Sequence, residues 1–182
     1  IRPRRKYLPK GVDVIFSGME TIDHAKNQVN LSNSQVLDYD FLVIATGAHP
    51  DPSETEGLGG AGWRRNVFDF YTLEGATALY HHLKEWKGGR MVINIAEMPI
   101  KCPVAPLEFA FLADWWFTKK GMRDKAEIEY VTPLSAAFTK PKAAELFGDF
   151  LERKNIKLNA DFALASVDPE ANKIVSWDER EV

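Results

Sequence analysis

Residues 90–106 read Arg-Met-Val-Ile-Asn-Ile-Ala-Glu-Met-Pro-Ile-Lys-Cys-Pro-Val-Ala-Pro, and this stretch decides the fold. Its first seven residues are largely apolar and β-branched, which predicts a strand buried in a sheet. An irregular turn follows. Pro106 then opens an apolar stretch that runs to Lys120 and stops at Gly121, the proline-first, glycine-last order of a helix. Further on, residues 126–133 predict a strand and residues 142–155 a helix with Leu146, Phe150 and Leu151 facing inward. The remaining residues predict strands around a turn at Asp168-Pro169. Working backwards, residues 72–86 predict a helix with Thr72 as N-cap and Gly88-Gly89 as its stop. Leu73, Ala76, Leu79, Tyr80 and Leu83 form its apolar face. The order from residue 90 is β-loop-α-β-α-β, which predicts an α/β fold: a Rossmann-like parallel sheet with flanking helices.

The first part of the chain has a different grain. Residues 12–16 predict a short strand, and residues 18–37 a small antiparallel β-meander broken by polar turns. Phe41 to Ile44 are consecutive apolar residues, as in a strand buried on both faces, and the run ends at Gly47 with Pro50 and Pro52 just beyond. Residues 48–62 resemble a linker. The expected division is therefore residues 1–60, 61–165 and 166–182, the last being strands that return towards a further part of the protein.

Composition narrows the function classes. The chain has 182 residues, 45% hydrophobic and 27% charged, which excludes a disordered or collagen-like chain. Its net charge of -3 gives no reason to expect a nucleic-acid partner. Arg2, Arg4, Arg5 and Lys6 make one basic cluster, read as a solvated end. No apolar run approaches the roughly 20 residues of a membrane helix, and neither a membrane span nor a signal peptide is expected. The single cysteine, Cys102, excludes an internal disulfide and a multi-cysteine zinc site, and no metal is expected. The opening from Ile1 reads as mid-protein sequence, so the chain is expected to be a fragment.

One glycine pattern, Gly57, Gly59 and Gly62, matches G-x-G-x-x-G but follows no strand and precedes no helix, so it reads as a flexible loop. A dinucleotide fingerprint belongs in the turn after residue 96, yet there is no glycine between Arg90 and Lys120. The strand at 126–133 also ends in Thr132 and Pro133, where an acidic residue would hold a ribose. The expectation is Rossmann order without NAD(P). What occupies the turn is Cys102, ahead of a helix and beside Lys101, a setting that favours thiolate. A lone cysteine is also commonly an inert buried side chain. Its place at the carboxyl end of a strand, where open α/β sheets bind ligands, speaks for the reactive reading. His81 and His82 are adjacent on a helix and cannot chelate together. His49 reads as a loop residue and Glu108 as a partner of the helix dipole. Trp115 and Trp116 make their helix apolar almost all round, which predicts core packing.

Two segments carry a family resemblance. Tyr-Asp-Phe-Leu-Val-Ile-Ala-Thr-Gly at 39–47 resembles the second flavin motif of flavoproteins built on two dinucleotide folds. Lys-Cys-Pro-Val-Ala-Pro-Leu-Glu at 101–108 is similar to the cysteine loop of sulfide:quinone oxidoreductases. The flavoprotein subunit of flavocytochrome c sulfide dehydrogenase shares that loop and stays open as an alternative. A third reading, from another class, is a noncatalytic interaction module with a structural cysteine. The resemblance implies an FAD-dependent oxidoreductase whose β-meander belongs to an incomplete FAD-binding domain. It implies that Ala45, Thr46 and Gly47 lie beside FAD, and that Cys102 is the redox cysteine, with its partner cysteine outside this chain. Sulfide and quinone are the implied substrates. It also implies a parent protein peripheral to a membrane, which it touches through other regions, and a fragment that is soluble, cytoplasmic and inactive alone. Exposed edges of the first sixty residues leave a homo-oligomer as an expected partner state.

Overall fold

A computed structural model describes residues 4–182, so Arg2 of the basic cluster lies outside the described residues. The chain divides into two units, Ile1–Gly47 and Ala48–Val182.

The first unit holds the meander. Strands β1 (Met19–Asp23), β2 (Gln28–Leu31) and β3 (Val36–Asp38) pair antiparallel in the order β1-β2-β3. The first turn forms because the Asp23 carboxylate accepts from the Ala25 and Lys26 amides at 3.1 and 3.2 Å, and Asn27 takes a positive φ. Val29 and Leu31 are its buried apolar residues. Two expected strands are absent. Residues 12–16 and 41–44 carry no strand, and Phe41 is 93% exposed, Val43 84%. The physical reason is that a strand needs a neighbour, and no described segment pairs with either run.

The second unit holds the parallel sheet. Helix α1 (Leu73–Glu85) precedes β4 (Gly89–Asn94), α2 (Ala105–Lys119), β5 (Ala126–Val131), α3 (Pro141–Arg153) and β6 (Ile156–Asn159). The sheet order is β4-β5-β6, all parallel, with Ile93 opposite Tyr130 and Ile128 opposite Ile156. On one face Ile93, Ile128 and Tyr130 pack with Leu107, Ala110 and Phe117 of α2 and Leu151 of α3. On the other, Val92 and Val131 pack with Phe162, Leu164 and Val167. That second layer is a ribbon of β7 (Leu164–Asp168) and β8 (Lys173–Ser176). The chain is therefore mixed α/β, the first unit antiparallel and the second a helix-flanked parallel sheet with an antiparallel ribbon, as expected.

Some helix faces differ from expectation. Thr72 caps α1, its hydroxyl accepting from the Gly75 amide at 2.9 Å, but Leu73 and Tyr80 are exposed. The inward face is set by Gly75, where a Cβ would sit 2.0 Å from Asp69 Oδ2. In α3, Leu151 is buried while Leu146 and Phe150 are exposed, because Phe147 takes the inward position against Phe138. In α2, Leu112 and Trp115 face outward, and Lys119 Nζ lies 4.9 Å from the centre of the Trp115 ring. Trp116 packs against the core, as expected.

Two of the three glycines of the false fingerprint, Gly57 and Gly62, serve packing. Gly57 has φ +75°, and a Cβ there would lie 1.9 Å from the Val167 carbonyl oxygen. At Gly62 a Cβ would meet Pro169 at 2.3 Å. The linker is thus fitted against the β7–β8 ribbon and not against a helix N-terminus.

Candidate active site

The loop that leaves β4 is built to carry Cys102. A cis bond joins Met98 and Pro99, and Cys102 N donates to the Ile100 carbonyl at 2.9 Å. Ala105 N donates back to the Cys102 carbonyl at 3.1 Å, which starts α2, and Pro106 occupies its first turn, fully buried. The N-terminus of α2 has no side-chain cap. Cys102 itself is exposed and has φ +117°. The other non-glycine residues with positive φ lie between 50° and 66°, the ordinary left-handed region, whereas Gly88 and Gly89 have φ 121° and 122°. Cys102 therefore holds a conformation that elsewhere in this chain belongs to glycine.

Lys101 does not simply stand beside the thiol: its Nζ donates to the Ala48 carbonyl at 2.8 Å. Glu108 is exposed in the first turn of α2. His81 is exposed against the Tyr80 ring, and His82 is half-buried with its ring 4.9 Å from that of Phe68. His49 is an exposed loop residue. Among the described residues no group of three His, Cys, Asp or Glu could hold a metal ion.

Ala45, Thr46 and Gly47 close the first unit in an exposed segment outside any strand. Gly47 has φ +76° and open space where a Cβ would be. This is a conformation that favours glycine, and it leaves the backbone at Gly47 open to close approach. The glycine turn that grips a flavin pyrophosphate is not among the 182 residues.

One residue of the loop's surroundings escaped sequence reasoning. The Tyr71 hydroxyl donates to the Cys102 carbonyl at 3.3 Å. Burial, and then the nearby Cys102, push the Tyr71 phenol up, so it is a donor at neutral pH. No motif announces it. Its only sequence signal is its place next to the Thr72 cap, 31 residues from the cysteine. Tyr71 also lines a cavity of about 650 Å³ with Ile100, Lys101 and Pro106 of the loop. Asn94 Oδ1, at the end of β4 on the same cavity, is buried without a partner.

No protein-family model matches the chain. Among curated proteins it is 23% identical to the mitochondrial sulfide:quinone oxidoreductase of Mus musculus, over 96% of this chain and 39% of that protein. It is 27% identical to the sulfide-quinone reductase of Aquifex aeolicus, over 92% of this chain and 39% of that one. The solved structure of the Aquifex aeolicus sulfide:quinone oxidoreductase superposes with a TM-score of 0.70 at 22% identity, covering 92% of this chain and 39% of that chain. An NAD-dependent persulfide reductase from A. fulgidus superposes with a TM-score of 0.61 at 20% identity, over 91% of this chain and 28% of that chain. The fold is shared with these solved oxidoreductases. Over nearly its whole length the chain is similar to these sulfide:quinone oxidoreductases, and it spans about two fifths of their length. Among the described residues no helix is long and apolar enough to cross a membrane.

Proposed function

We propose that the chain is part of a flavoenzyme that oxidises sulfide and delivers the electrons to a quinone, with Cys102 as the thiol that handles sulfur. The observation that carries this reading is the exposed Cys102 on a glycine-free loop at the carboxyl end of β4, in a chain related throughout to sulfide:quinone oxidoreductases. In the net reaction hydrosulfide loses two electrons and a proton and its sulfur leaves as sulfane sulfur, while the quinone takes up the electrons with two protons. FAD, when bound, supplies a carrier that accepts electrons as a pair and passes them on.

The chain's own residues have narrower tasks. Cys102 presents its Sγ to solvent. In a disulfide with the second cysteine of the intact enzyme it would be opened by hydrosulfide, which breaks that S–S bond and leaves a persulfide on one sulfur and a thiolate on the other. The disulfide is the oxidant that the quinone then restores. Ala45, Thr46 and Gly47 offer backbone to the flavin. Residues 97–104, with Pro99 and Pro103 and no glycine, leave no seat for a pyrophosphate, which supports a protein that does not use NAD(P)H. In this reading residues 1–60 belong to the FAD-binding domain, 61–165 to the second dinucleotide fold and 166–182 to strands leading onward. A quinone is lipid-soluble, so the whole enzyme works at a membrane surface through regions outside this chain. A structural cysteine in an interaction module would be buried; exposure of Cys102 disfavours that class.

The test uses the intact flavoprotein. Sulfide should bleach the flavin and drive reduction of a soluble quinone, NADH should do neither, and Cys102→Ser should abolish the sulfide reaction. Full sulfide turnover by Cys102→Ser would remove the cysteine from the chemistry. Rapid bleaching by NADH would refute the reading of the turn.

A further inference from the structure

We propose that Tyr71 is the positioning residue for Cys102: its hydroxyl holds the Cys102 carbonyl and so fixes the backbone that presents the thiol. The inference rests on the sulfide-oxidising reading for its consequence, and on geometry for its existence.

The Cys102 carbonyl has two donors, Ala105 N at 3.1 Å and the Tyr71 hydroxyl at 3.3 Å, so both of its lone pairs are engaged. A side chain at φ +117° persists only where its surroundings over-determine it, and one bond to its own following turn is a weak restraint. Tyr71 supplies the long-range restraint, and it is itself firmly seated. Asp69 Oδ1 accepts from the Tyr71 amide at 3.0 Å and from the Thr72 amide and hydroxyl at 2.8 and 2.9 Å. Phe70 stacks on Phe109 of α2 with ring centres 4.6 Å apart and planes within 9°. The segment 69–72 therefore bridges the cap of α1 and the helix that Cys102 introduces.

A second tyrosine lies near Tyr71. Tyr130 of β5 packs with Leu107 and Ala110 of α2 and is fully buried, yet its hydroxyl has no partner. Burial, and then the Tyr71 phenol nearby, push it up, so it too stays protonated. An unpartnered buried hydroxyl is costly. It is kept without a partner inside an otherwise apolar cluster, close enough to the Tyr71 phenol for the two to interact electrostatically.

The experiment compares wild type, Tyr71→Phe and Cys102→Ser as intact flavoproteins. Tyr71→Phe keeps the ring and its stacking and removes one hydroxyl. The readouts are kcat and quinone KM with sulfide, flavin content, melting temperature, and the alkylation rate of Cys102 followed by peptide mass. Tyr71→Phe should lower kcat about ten- to a hundredfold, as expected for a misplaced reacting group. Quinone KM, flavin content and melting temperature should hold, and Cys102 alkylation should change several-fold. Wild-type kcat and alkylation in Tyr71→Phe would overturn the inference and leave the sulfide reading intact. A fall in kcat that tracks loss of flavin or of melting temperature would overturn it as well, by making Tyr71 merely structural. If Cys102→Ser keeps sulfide turnover, the functional reading fails, and the alkylation rate alone still decides whether Tyr71 holds the loop.

Discussion

Arg90 at the start of β4 closes on Glu129 of β5, Nε to Oε2 at 2.8 Å, and the Glu129 side chain is wholly buried. In the parallel register Val92, not Arg90, lies opposite Glu129, so the guanidinium reaches diagonally along the face that packs on the β7–β8 ribbon. From the other side Lys157, directly opposite on β6, gives a second contact at 2.9 Å, and Asn159 donates to Oε1. A buried carboxylate is tolerable because every oxygen is met by a donor. Three strands are thereby joined at one side chain.

Removing Arg90 should therefore cost more than removing Glu129. Arg90→Ala leaves Glu129 buried with its guanidinium gone, and a loss of about 3 kcal/mol is expected in urea unfolding. Glu129→Leu alone strands cations that are already partly exposed, so it should cost less than Arg90→Ala. Equal losses for the two variants would show that the buried carboxylate is not the controlling charge.

A second clasp makes stability depend on pH. Asp114 of α2 is buried; that burial pushes its carboxyl up, but Lys154 at 2.6 Å and Arg123 at 2.7 Å outweigh it and hold the group below the usual carboxylate range. Because the folded value is depressed, its contribution is present above the unfolded value near 3.8 and is lost as pH falls through the folded value. Asp114→Asn should thus be less stable than wild type at pH 7, with the gap closing at acid pH. Denaturation at both pH values checks this, and a gap that persists in acid would assign the loss to packing. Arg123 also donates to the carbonyls of Ala126, Lys154 and Asn155, so Arg123→Ala should lose more than Asp114→Asn.

Exposed apolar side chains in the first unit give a third prediction. Phe41 and Val43 face solvent, as do Phe16 and Ile44. Exposed clusters of this kind bind hydrophobic dyes and favour association. The 182-residue chain should raise anilinonaphthalene sulfonate fluorescence, and Phe41→Ser with Val43→Thr should cut that signal by about half or more. An unchanged signal would place the dye elsewhere.

The same residues show where sequence reading stops. From residue 90 onward the sequence made the order of elements legible, because proline, glycine and apolar period mark each boundary of α2, α3 and the strands between them. The meander was legible from its polar turns. Phe41–Ile44 reads as a doubly buried strand because apolar composition records what a segment packs on; no described segment of this chain supplies that packing. Leu146 and Phe150 were misplaced because Phe147, one position along, competes for the same face. Cys102 was legible as a candidate from its place in the loop. Tyr71 was not, since a hydroxyl that meets a backbone carbonyl across 31 residues leaves no spacing to read.

The backbone at Cys102 offers a test whose sign is informative. In ordinary sites an Ala→Gly exchange costs about 0.5–1 kcal/mol, because glycine has more freedom to lose on folding. At φ +117° any Cβ is strained, and alanine carries the same Cβ as cysteine. Cys102→Gly should then be more stable than Cys102→Ala by about 1 kcal/mol, an inversion of the usual order. Both variants lack the thiol, so a lost sulfur contact cannot produce the difference. Measured by thermal or urea unfolding, the usual order, with alanine the more stable, would mean that the loop relaxes to negative φ once the cysteine is gone. Inversion would mean that the fold maintains a costly conformation at the residue proposed to handle sulfur.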